Sequence, residues 1–449
     1  MTVVRSKADA VLLGVDPVES WEAYVASGGG MGLANALALG PTEVVSAVTK
    51  ARLRGRGGGG FPTGIKWASV AQDACPTKYV VCNGAEGEPG TFKDRYLLRR
   101  NPYQMLEGLA IAAYAVGARR AYVCLKKSFV REIARVRRAV KEMSAARCLG
   151  DVTVDVVLGP EDYLFGEEKA MLEVIEGGLA MPREADLPPY VHGLFVVRPD
   201  RSNPTVVNNV ETLSNIPHIF CRGADWFRSI GTPDTPGTMV FTISGDVATP
   251  GVFELPMGTP VDELVYEHGG GMRPGRKVKA VLSGVSNAVI QASALRTRMD
   301  FGSMQAIGSG LGSGGFVVFD DSACMVRVAY KLSEFLHHES CGQCTPCKFG
   351  TNQATEHLRC LVEGAGGPSD LSLVLEGAAM APYANRCYLP VEHSVMVPSL
   401  VRAFAAEFEQ HFGRGCQGCR NFVVPKFKDF DERSRVFVYA AGNSTVVDS

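Results

Sequence analysis

Three cysteines in the stretch from Glu339 to Lys348 are spaced as Cys-x2-Cys-x2-Cys: Cys341, Cys344 and Cys347. Three thiolates at this spacing can bind three irons of one cubane iron-sulfur cluster, whose fourth ligand must then come from elsewhere. The candidate for that ligand is Cys387, forty residues further along the chain. A structural zinc ion held by four cysteines is the alternative, but zinc sites usually pair two Cys-x2-Cys sequences. The array therefore indicates an iron-sulfur centre.

The stretch from Arg52 to Trp67 concentrates glycine between two basic residues. Its glycines are Gly55, Gly57, Gly58, Gly59, Gly60 and Gly64. Backbone without Cβ atoms can turn its N–H groups toward an anion, and Arg56 and Lys66 add positive charge suited to phosphate. A flexible linker is the alternative, yet the bulky residues from Phe61 to Trp67 would anchor the loop. The spacing matches neither the dinucleotide-binding glycine pattern nor a P-loop. We interpret the stretch from Arg52 to Trp67, the glycine loop, as a nucleotide-binding loop.

Acidic and amide side chains follow the predicted strands. Glu86 and Glu88 lie in a glycine-rich loop directly after the apolar run Lys78–Asn83, and their carboxylates can accept hydrogen bonds from ribose hydroxyls or a nicotinamide amide. A solvated acidic turn is the alternative. A second loop, Gly159–Leu172, combines a tyrosine with two glutamates, and Asn-Asn follows a third apolar run. These residues are Tyr163, Glu167, Glu168, Asn208 and Asn209. The two glutamates also suit the start of a helix, and Asn-Asn is also a turn signal.

The elements that must position these side chains alternate between helix and strand. We predict helices at Pro41–Leu53, Tyr103–Val116 and Val130–Ala145, and strands at Lys78–Asn83, Arg120–Leu125 and Val152–Leu158. This alternation predicts an α/β domain. The proline-rich run from Pro182 to Pro204 is interpreted as a connection, residues 237–319 as a small α+β domain, and the remainder as largely helical.

Composition narrows the class of protein. A chain of 449 residues suggests roughly two to four domains, and a formal net charge of -1 gives no reason to expect nucleic acid as a partner. No apolar run approaches a membrane span and the first residues lack the order of a signal peptide, so we expect a cytoplasmic protein without direct membrane insertion. Its 13 cysteines suggest metal ligation or buried thiols.

Cys416 and Cys419 form a pair separate from the array, with only His411 or Cys360 as further ligands. Free thiols are favoured over half of a metal site shared with a partner protein.

Taken together, five motifs resemble, in the same order, the NADH-binding flavoprotein subunit of respiratory complex I and the diaphorase subunits of NAD-linked hydrogenases and formate dehydrogenases. They are the glycine loop, Glu88–Arg95, Tyr163 with Gly166-Glu167-Glu168, Asn208–Thr212, and Glu339–Cys347. The resemblance implies an α/β, Rossmann-like FMN and NADH domain at 1–236 and a ubiquitin-like, β-grasp ligand-binding domain at 237–319. It further implies a helical bundle with a [4Fe-4S] cluster at 320–412, leaving a C-terminal extension at 413–449.

The resemblance also implies cofactors and the residues that bind them. FMN would be held by Gly55, Arg56, Gly57, Gly58, Lys66, Asn83, Glu86, Gly166, Glu167, Val207, Asn208, Asn209 and Thr212. NADH would be received by Phe61, Glu88, Tyr163 and Glu168, and the cluster by Cys341, Cys344, Cys347 and Cys387. No side chain would be catalytic, because hydride passes directly to FMN. Glu88 near the adenosine ribose would repel a 2′-phosphate and favour NADH over NADPH.

The implied function is an FMN-dependent NADH:acceptor oxidoreductase that passes electrons singly through its cluster. Its partners would be a thioredoxin-like [2Fe-2S] subunit and a larger iron-sulfur or catalytic subunit, through which any membrane association would be made. Two departures from the family pattern, Ala85 in place of a carboxylate and Tyr190-Val191 in a proline segment, favour a specialised diaphorase module over the respiratory protein. They also leave open an electron-relay or assembly subunit with a decayed nucleotide site.

Overall fold

A computed structural model describes residues 10–14, 16–184, 187–198 and 201–440 of the chain. The helices, numbered α1 to α17 in chain order, are Trp21–Ala26, Met31–Leu37, Pro41–Ala51, Thr63–Gln72, Lys93–Arg100, Pro102–Val116, Val130–Ala145, Glu168–Ile175, Val210–Arg222, Ala224–Arg228, Val261–Glu263, Phe301–Ala306, Met325–His338, Thr345–Glu363, Pro368–Met380, Leu389–Ala403 and Ala405–Gln410. The strands, β1 to β13, are Tyr79–Asn83, Arg120–Lys126, Thr153–Gly159, Leu194–Arg198, Arg201–Asn203, Thr205–Asn209, Thr238–Gly245, Gly251–Pro256, Val278–Ser283, Ile290–Gln291, Gly315–Asp320, Phe427–Asp431 and Val436–Tyr439.

The chain divides into two compact units. The first comprises the described residues within 10–87, 92–241 and 252–259, and the second comprises residues 88–91, 242–251 and 260–440. The division into four domains predicted from the sequence is a finer one and stays a prediction. No helix in the described part of the chain is both long enough and apolar enough to cross a bilayer.

The first unit contains a four-stranded sheet in the order β3-β2-β1-β6, in which every neighbouring pair is parallel. Parallel sheets are covered on both faces, and the strands accordingly read as apolar runs. Val81, Cys124 and Val207, from three neighbouring strands, are buried in one hydrophobic cluster with Phe165. The α/β fold predicted from the alternation of elements is confirmed, and the predicted helix Val130–Ala145 begins and ends where the structure places α7.

Two parts of the first unit differ from the prediction. Helix α5 was not predicted, because five of the eight residues in its sequence Lys-Asp-Arg-Tyr-Leu-Leu-Arg-Arg are charged and leave only a short apolar stretch. The run from Pro182 to Pro204 is more than a connection, because β4 and β5 pair within it. Leu194 on β4 is fully buried in the hydrophobic cluster of the parallel sheet. Four positions of that run, 185, 186, 199 and 200, lie outside the described residues.

A mixed five-stranded sheet has the order β10-β9-β11-β7-β8. Strand β11 is parallel to β7 and antiparallel to β9. The glycine-rich run before β11 contains positive φ angles at Gly308, Gly312 and Gly314. Helices α13 to α17 follow and form the largely helical part that the sequence predicts.

The helical part contains a buried histidine whose protonation opposes folding. His393 on α16 is fully buried and its Nε2 lies 2.8 Å from the Ser333 hydroxyl on α13. Burial lowers the pKa of His393 from 6.5 to about 3. The neutral imidazole therefore stabilises the fold above pH 6.5, and this contribution is lost as the pH falls from 6.5 toward the folded-state pKa.

We predict that lowering the pH from 7 to 5 removes about 2 kcal/mol of unfolding free energy through His393, because one pKa unit corresponds to about 1.36 kcal/mol. Urea unfolding at both pH values measures this loss, and His393→Gln should reduce it. His338→Gln, on helix α13 of the same bundle, is the control and should leave the loss unchanged. An unchanged pH dependence in His393→Gln would contradict the assignment.

Candidate functional site

The site is organised around the carboxyl ends of β1 and β6, which lie side by side. Asn83 at the end of β1 is in register with Asn209 at the end of β6. Strands β2 and β3 lie on one side of β1 and β6 lies on the other. The order in which the chain adds strands to the sheet therefore changes direction between β1 and β6. In parallel α/β sheets, ligands bind outside the carboxyl ends of the strands at such a switch point. The Asn83 amide also donates to the Gly166 carbonyl at 2.8 Å, which ties the loop after β1 to the turn before α8.

Lys66 joins three of the elements around this edge. Its ammonium donates to the Val207 carbonyl at 2.9 Å and pairs with the Glu168 carboxylate at 2.6 Å. The side chain of Lys66 is buried because α4 packs against β6. In the next residue, the Trp67 indole donates to the Asn208 side chain at 2.8 Å. The structure therefore brings Lys66, Glu168, Val207 and Asn208 close together.

A backbone hydrogen bond closes the glycine loop, which lies close to the Asn pair, Asn208 and Asn209. Gly55 N–H donates to the Phe61 carbonyl at 2.9 Å. Gly58 has a φ of +115°, which residues with a side chain rarely adopt. A Cβ atom added at Gly57 would lie 3.2 Å from the Cβ of Asn209, so glycine permits this close approach. These contacts fix the loop beside the switch point.

Arg56 differs from the role that its charge suggested. Its guanidinium is fully buried and donates to the carbonyls of Pro236 and Thr238 at 2.9 and 3.0 Å. Burial lowers the pKa of Arg56 to about 10, against the opposing effect of Glu211. The backbone N–H of Arg56 donates to the Thr212 hydroxyl at 2.9 Å. The side chain of Arg56 therefore anchors the loop from within the protein and donates to the carbonyls of its own chain.

A buried charge network lies beneath the Asn pair. The Lys93 ammonium is 2.7 Å from Asp94 Oδ1, 2.9 Å from Glu211 Oε2 and 3.1 Å from the Asn209 side-chain oxygen. The Asn209 amide donates to Asp94 Oδ2 at 2.6 Å, and Val240 N–H donates to Glu211 at 2.8 Å. Burial lowers the pKa of Lys93, but the surrounding carboxylates outweigh burial and raise it overall. The network fixes the orientation of the Asn209 amide.

Two predicted acidic residues act as helix caps. The Glu86 carboxylate accepts the first N–H groups of α5, from Lys93 at 2.9 Å and Asp94 at 3.0 Å. Burial and the charge of Asp94 raise the pKa of Glu86 to about 7, although Lys93 opposes the shift. Glu167 is the N-cap of α8 and accepts from Ala170 N–H at 2.8 Å, and burial raises its pKa. For Glu167 the sequence also allowed a role at the start of a helix, and in the structure its side chain has that role.

The residues predicted to receive NADH occupy different surroundings. The Phe61 ring is partly exposed and stacks on Tyr190 with centroids 5.6 Å apart, so the altered proline segment still supplies an aromatic ring. Tyr163 lies in a short 3-10 turn. Glu88 belongs to the second unit, where its carboxylate accepts from Val285 N–H at 2.6 Å. A Cβ atom at Gly284 would lie 2.3 Å from that carboxylate, so this contact requires glycine.

The surroundings of the glycine loop fit a phosphate-bearing flavin. Thr63, at the start of α4, has a buried hydroxyl without a hydrogen-bond partner in the described part of the chain. Buried hydroxyls are normally paired, so this one is suited to a ligand oxygen. Helix α4 has no side-chain N-cap, and a helix N-terminus attracts phosphate through its unpaired N–H groups.

The predicted cluster ligands lie around the start of α14. Cys344 is its N-cap residue, Cys347 is buried in its first turn, and Cys341 precedes it; Cys387 lies just before α16. Among the described residues, no three of these four sulfurs lie mutually within 4.8 Å. A single zinc ion would hold its sulfurs closer than that, at about 3.8 Å for Zn–S bonds of about 2.3 Å. In a cubane each cysteine binds a different iron, so the donor set fits an iron-sulfur cluster better than zinc.

Several residues of the site were not identified from the sequence. Three of them, Lys93, Asp94 and Glu211, lie within the recognised motifs but were given no role of their own. Two others, Thr63 and Tyr190, were not proposed as site residues. For Glu211 the available signal was its position between Val210 and Leu213, two apolar residues of the same segment. Such a charge is expected to be paired once buried.

Comparison with known proteins identifies three segments by family models. Residues 48–218 match the Nuo51 FMN-binding domain, residues 240–290 the SLBB domain, and residues 327–411 the NADH-ubiquinone oxidoreductase-F iron-sulfur binding region. The chain is 46% identical to an NADH-quinone oxidoreductase subunit of Rhizobium meliloti over 86% of this chain and 93% of that protein. It is 36% identical to NADP-reducing hydrogenase subunit HndC of Solidesulfovibrio fructosivorans over 88% of this chain and 81% of that protein.

A solved structure shares the fold. A chain of NAD+-reducing [NiFe]-hydrogenase in the H2-reduced state superposes with a TM-score of 0.77 and is 32% identical. The match covers 89% of this chain and 65% of the hydrogenase chain, so this chain spans slightly less than two thirds of that chain's length.

We predict that Glu211→Gln destabilises the protein by about 3 kcal/mol, because Lys93 keeps Asp94 but loses its second carboxylate partner, and the buried guanidinium of Arg56 loses the carboxylate that acts on it. Chemical unfolding followed by far-UV circular dichroism measures the change. The matched control is Lys50→Met, which removes one member of the exposed Lys50–Asp225 pair and should leave stability unchanged. A Glu211→Gln variant as stable as the control would contradict the importance of the buried network.

Proposed function

Because this chain belongs to the family of NADH-binding flavoprotein subunits of NADH-quinone oxidoreductases, we propose that it is an NADH dehydrogenase (diaphorase) subunit. It transfers hydride from NADH to FMN and passes single electrons through a [4Fe-4S] cluster to partner subunits. The observation that carries the proposal is the convergence of the glycine loop with the carboxyl ends of β1 and β6 in a segment that matches an FMN-binding domain. Bound FMN supplies the exchange between two-electron and one-electron transfer.

We assign the flavin to the edge formed by the glycine loop and the two strand ends. The backbone N–H groups of the loop, the Thr63 hydroxyl and the start of α4 bind the phosphate. Lys66, held by the Val207 carbonyl, faces the same edge and presents a cation. The amides of the two Asn residues bind polar edges of the ring system, and the Lys93 network fixes the orientation of Asn209. The remaining predicted FMN residues are Gly55, Arg56, Gly57, Gly58, Asn83, Glu86, Gly166, Glu167 and Thr212.

In this assignment Arg56, Glu86 and Glu167 act through the backbone that they fix, since a terminal guanidinium nitrogen of Arg56 and the two carboxylates already bind backbone groups. Ala85 is buried in the hydrophobic cluster of the sheet, at the position where the family pattern has a carboxylate. The absence of that negative charge lowers the electrostatic cost of adding electrons nearby. We therefore expect a higher flavin potential than a carboxylate at this position would give.

For NADH, the proposed contacts are Phe61, Glu88, Tyr163 and Glu168. The Phe61 ring is 41% exposed, which leaves surface for stacking on the adenine. Glu88 discriminates against the 2′-phosphate of NADPH by like-charge repulsion. Glu168 is paired with Lys66 in the structure and exchanges this partner for polar groups of the nucleotide. The second candidate, a relay or assembly subunit without nucleotide binding, rests on Ala85 and the altered proline segment.

The relatives named as subunits support a multi-subunit assembly for this chain as well. We propose a thioredoxin-like [2Fe-2S] subunit and a larger iron-sulfur or catalytic subunit as its partners. Any membrane association is then made by those partners from the cytoplasmic side. Electrons reach them through the cluster bound by Cys341, Cys344, Cys347 and Cys387.

We predict that NADH bleaches the flavin absorbance of the anaerobic protein and that NADPH does so at least about 100-fold less efficiently, because repulsion by Glu88 costs several kcal/mol. Stopped-flow absorbance with each nucleotide measures the two rates. Glu88→Gln is expected to narrow the difference. Bound FMN that neither nucleotide bleaches would locate the defect in the altered pocket wall, and a protein without flavin would favour the relay function.

We predict that Cys387→Ala abolishes the intact [4Fe-4S] cluster while flavin reduction by NADH continues, because the two cofactors are bound by different segments. Iron analysis and low-temperature EPR of the dithionite-reduced protein measure the cluster. Cys360→Ala, in the same helical part but outside the array, is the matched control. Full iron content in Cys387→Ala would show that another residue supplies the fourth ligand.

A further inference from the structure

A second group of metal-binding side chains lies away from the iron-sulfur cysteines. It comprises Cys324, His411, Cys416 and Cys419, whose ligand atoms all lie within 4.8 Å of one another. Cys324 Sγ is 3.3 Å from His411 Nε2 and 3.4 Å from Cys416 Sγ. Cys324 and His411 are buried, and the two other cysteines are half-buried. Neither the proposed electron transfer nor any matched family model gives this group a function.

The separations suit one tetrahedral ion. Zinc binds cysteine sulfur at about 2.3 Å and histidine nitrogen at about 2.0–2.1 Å, so its ligand atoms lie about 3.5–3.8 Å apart. An S–S bond measures about 2.05 Å, well below the 3.4 Å between Cys324 and Cys416. Three sulfurs and one nitrogen form a complete ligand set for zinc and leave no open position, which is typical of a structural site.

The histidine is oriented as a metal ligand. His411 follows α17, and its Nδ1 donates to the Glu407 carbonyl at 2.7 Å. A carbonyl can only accept, so the proton is on Nδ1 and the lone pair of Nε2 points toward the Cys324 sulfur. A hydrogen bond from the second ring nitrogen to a carbonyl is the usual way in which proteins orient a metal-binding histidine.

The chain around the cysteine pair is held in place by its backbone. Cys416 N–H donates to the Val362 carbonyl at 2.8 Å, in the last turn of α14. Gly418, between the two cysteines, has a φ of +68°, which permits the tight turn of a Cys-x2-Cys knuckle. A Cβ atom at Gly415 would lie 2.6 Å from the Gly364 nitrogen, so glycine is required there as well. On the opposite side, Cys324 is the N-cap residue of α13.

We propose that Cys324, His411, Cys416 and Cys419 bind one structural zinc ion that fixes the C-terminal extension to the helical part of the chain. Zinc is favoured over the harder divalent ions because three of the four donors are thiolates. The four ligands come from positions 95 residues apart at the extremes, so the ion joins segments that are distant in the sequence.

Zinc binding has a structural consequence for the residues that follow. Arg420 pairs with Asp246 at 2.7 Å, and Lys426 forms an ion pair with Glu339. Glu339 lies two residues before Cys341, the first cysteine of the iron-sulfur array. The extension therefore passes from the zinc site to the loop that begins the array, and zinc fixes the start of this path.

The first test is metal analysis of the full-length protein after purification in zinc-containing, chelator-free buffer. We expect about one zinc and about four irons per chain. X-ray absorption at the zinc edge, which iron does not obscure, should show three sulfurs at about 2.3 Å and one nitrogen at about 2.0–2.1 Å. This measurement needs no variant and so does not depend on the folding of one. Iron-loaded protein without zinc, or a fifth iron in place of zinc, would overturn the proposal.

The second test uses the double variant Cys416→Ser/Cys419→Ser. Its zinc content should fall at least about tenfold while its iron content stays at about four per chain. Trypsin should then cut after Arg420 and Lys426 faster than in the parent protein, because the extension is released. Cys360→Ser, a cysteine of α14 outside the group, is the matched control for all three readouts. Zinc content equal to that of the control would contradict the assignment of these ligands.

Discussion

The buried pair of Lys93 and Glu211 underlies much of the first unit. Helices α5 and α9 bring these charges together without solvent, so each requires the other and further polar partners. Those partners include the Asn209 amide and Val240 N–H. Glu211 also acts electrostatically on the buried guanidinium of Arg56, a residue of the glycine loop. The charges therefore connect the glycine loop, the end of β6 and the start of β7. A site assembled from separate segments keeps one geometry because a buried charge without its partner is too costly.

The need to pair buried charges also explains why several prominent charged side chains bind groups of the protein itself. The guanidinium of Arg56 and the carboxylate of Glu86 satisfy backbone groups, and Glu167 caps α8. What faces the switch point between β1 and β6 is chiefly backbone, amides and the cation of Lys66. This composition suits a flavin, whose reactivity depends on hydrogen bonds and nearby charge. In the second unit, seven cysteines belong to the two proposed metal sites, four to the iron-sulfur site around α14 and three to the zinc site with His411.

Much of the architecture was determined by the sequence alone. Runs rich in apolar residues predicted β1, β2 and β3. The run is most continuous in β1 and β2, which lie inside the sheet, whereas the edge strand β3 is half-buried and contains Asp155. The spacing of three cysteines predicted a cluster because thiolates three residues apart can reach neighbouring irons. The order of five motifs identified the family, and the matching family models bear this out. These features are local, so they can be recognised from neighbouring residues.

Only the tertiary structure decided which distant residues meet. For Cys416 and Cys419 the sequence offered only His411 or Cys360 as further ligands, and the structure brings His411 to them. Cys324 was not considered, because it lies 92 residues before Cys416 and no local pattern links them. The ion pair of Lys93 with Glu211 joins two helices far apart in the sequence, and α5, which carries Lys93, has too many charged residues to be predicted as a buried helix. Whether a charge faces solvent, a ligand or a buried partner depends on packing between elements. That packing is set by contacts distant in sequence, whereas element type is set largely by near neighbours.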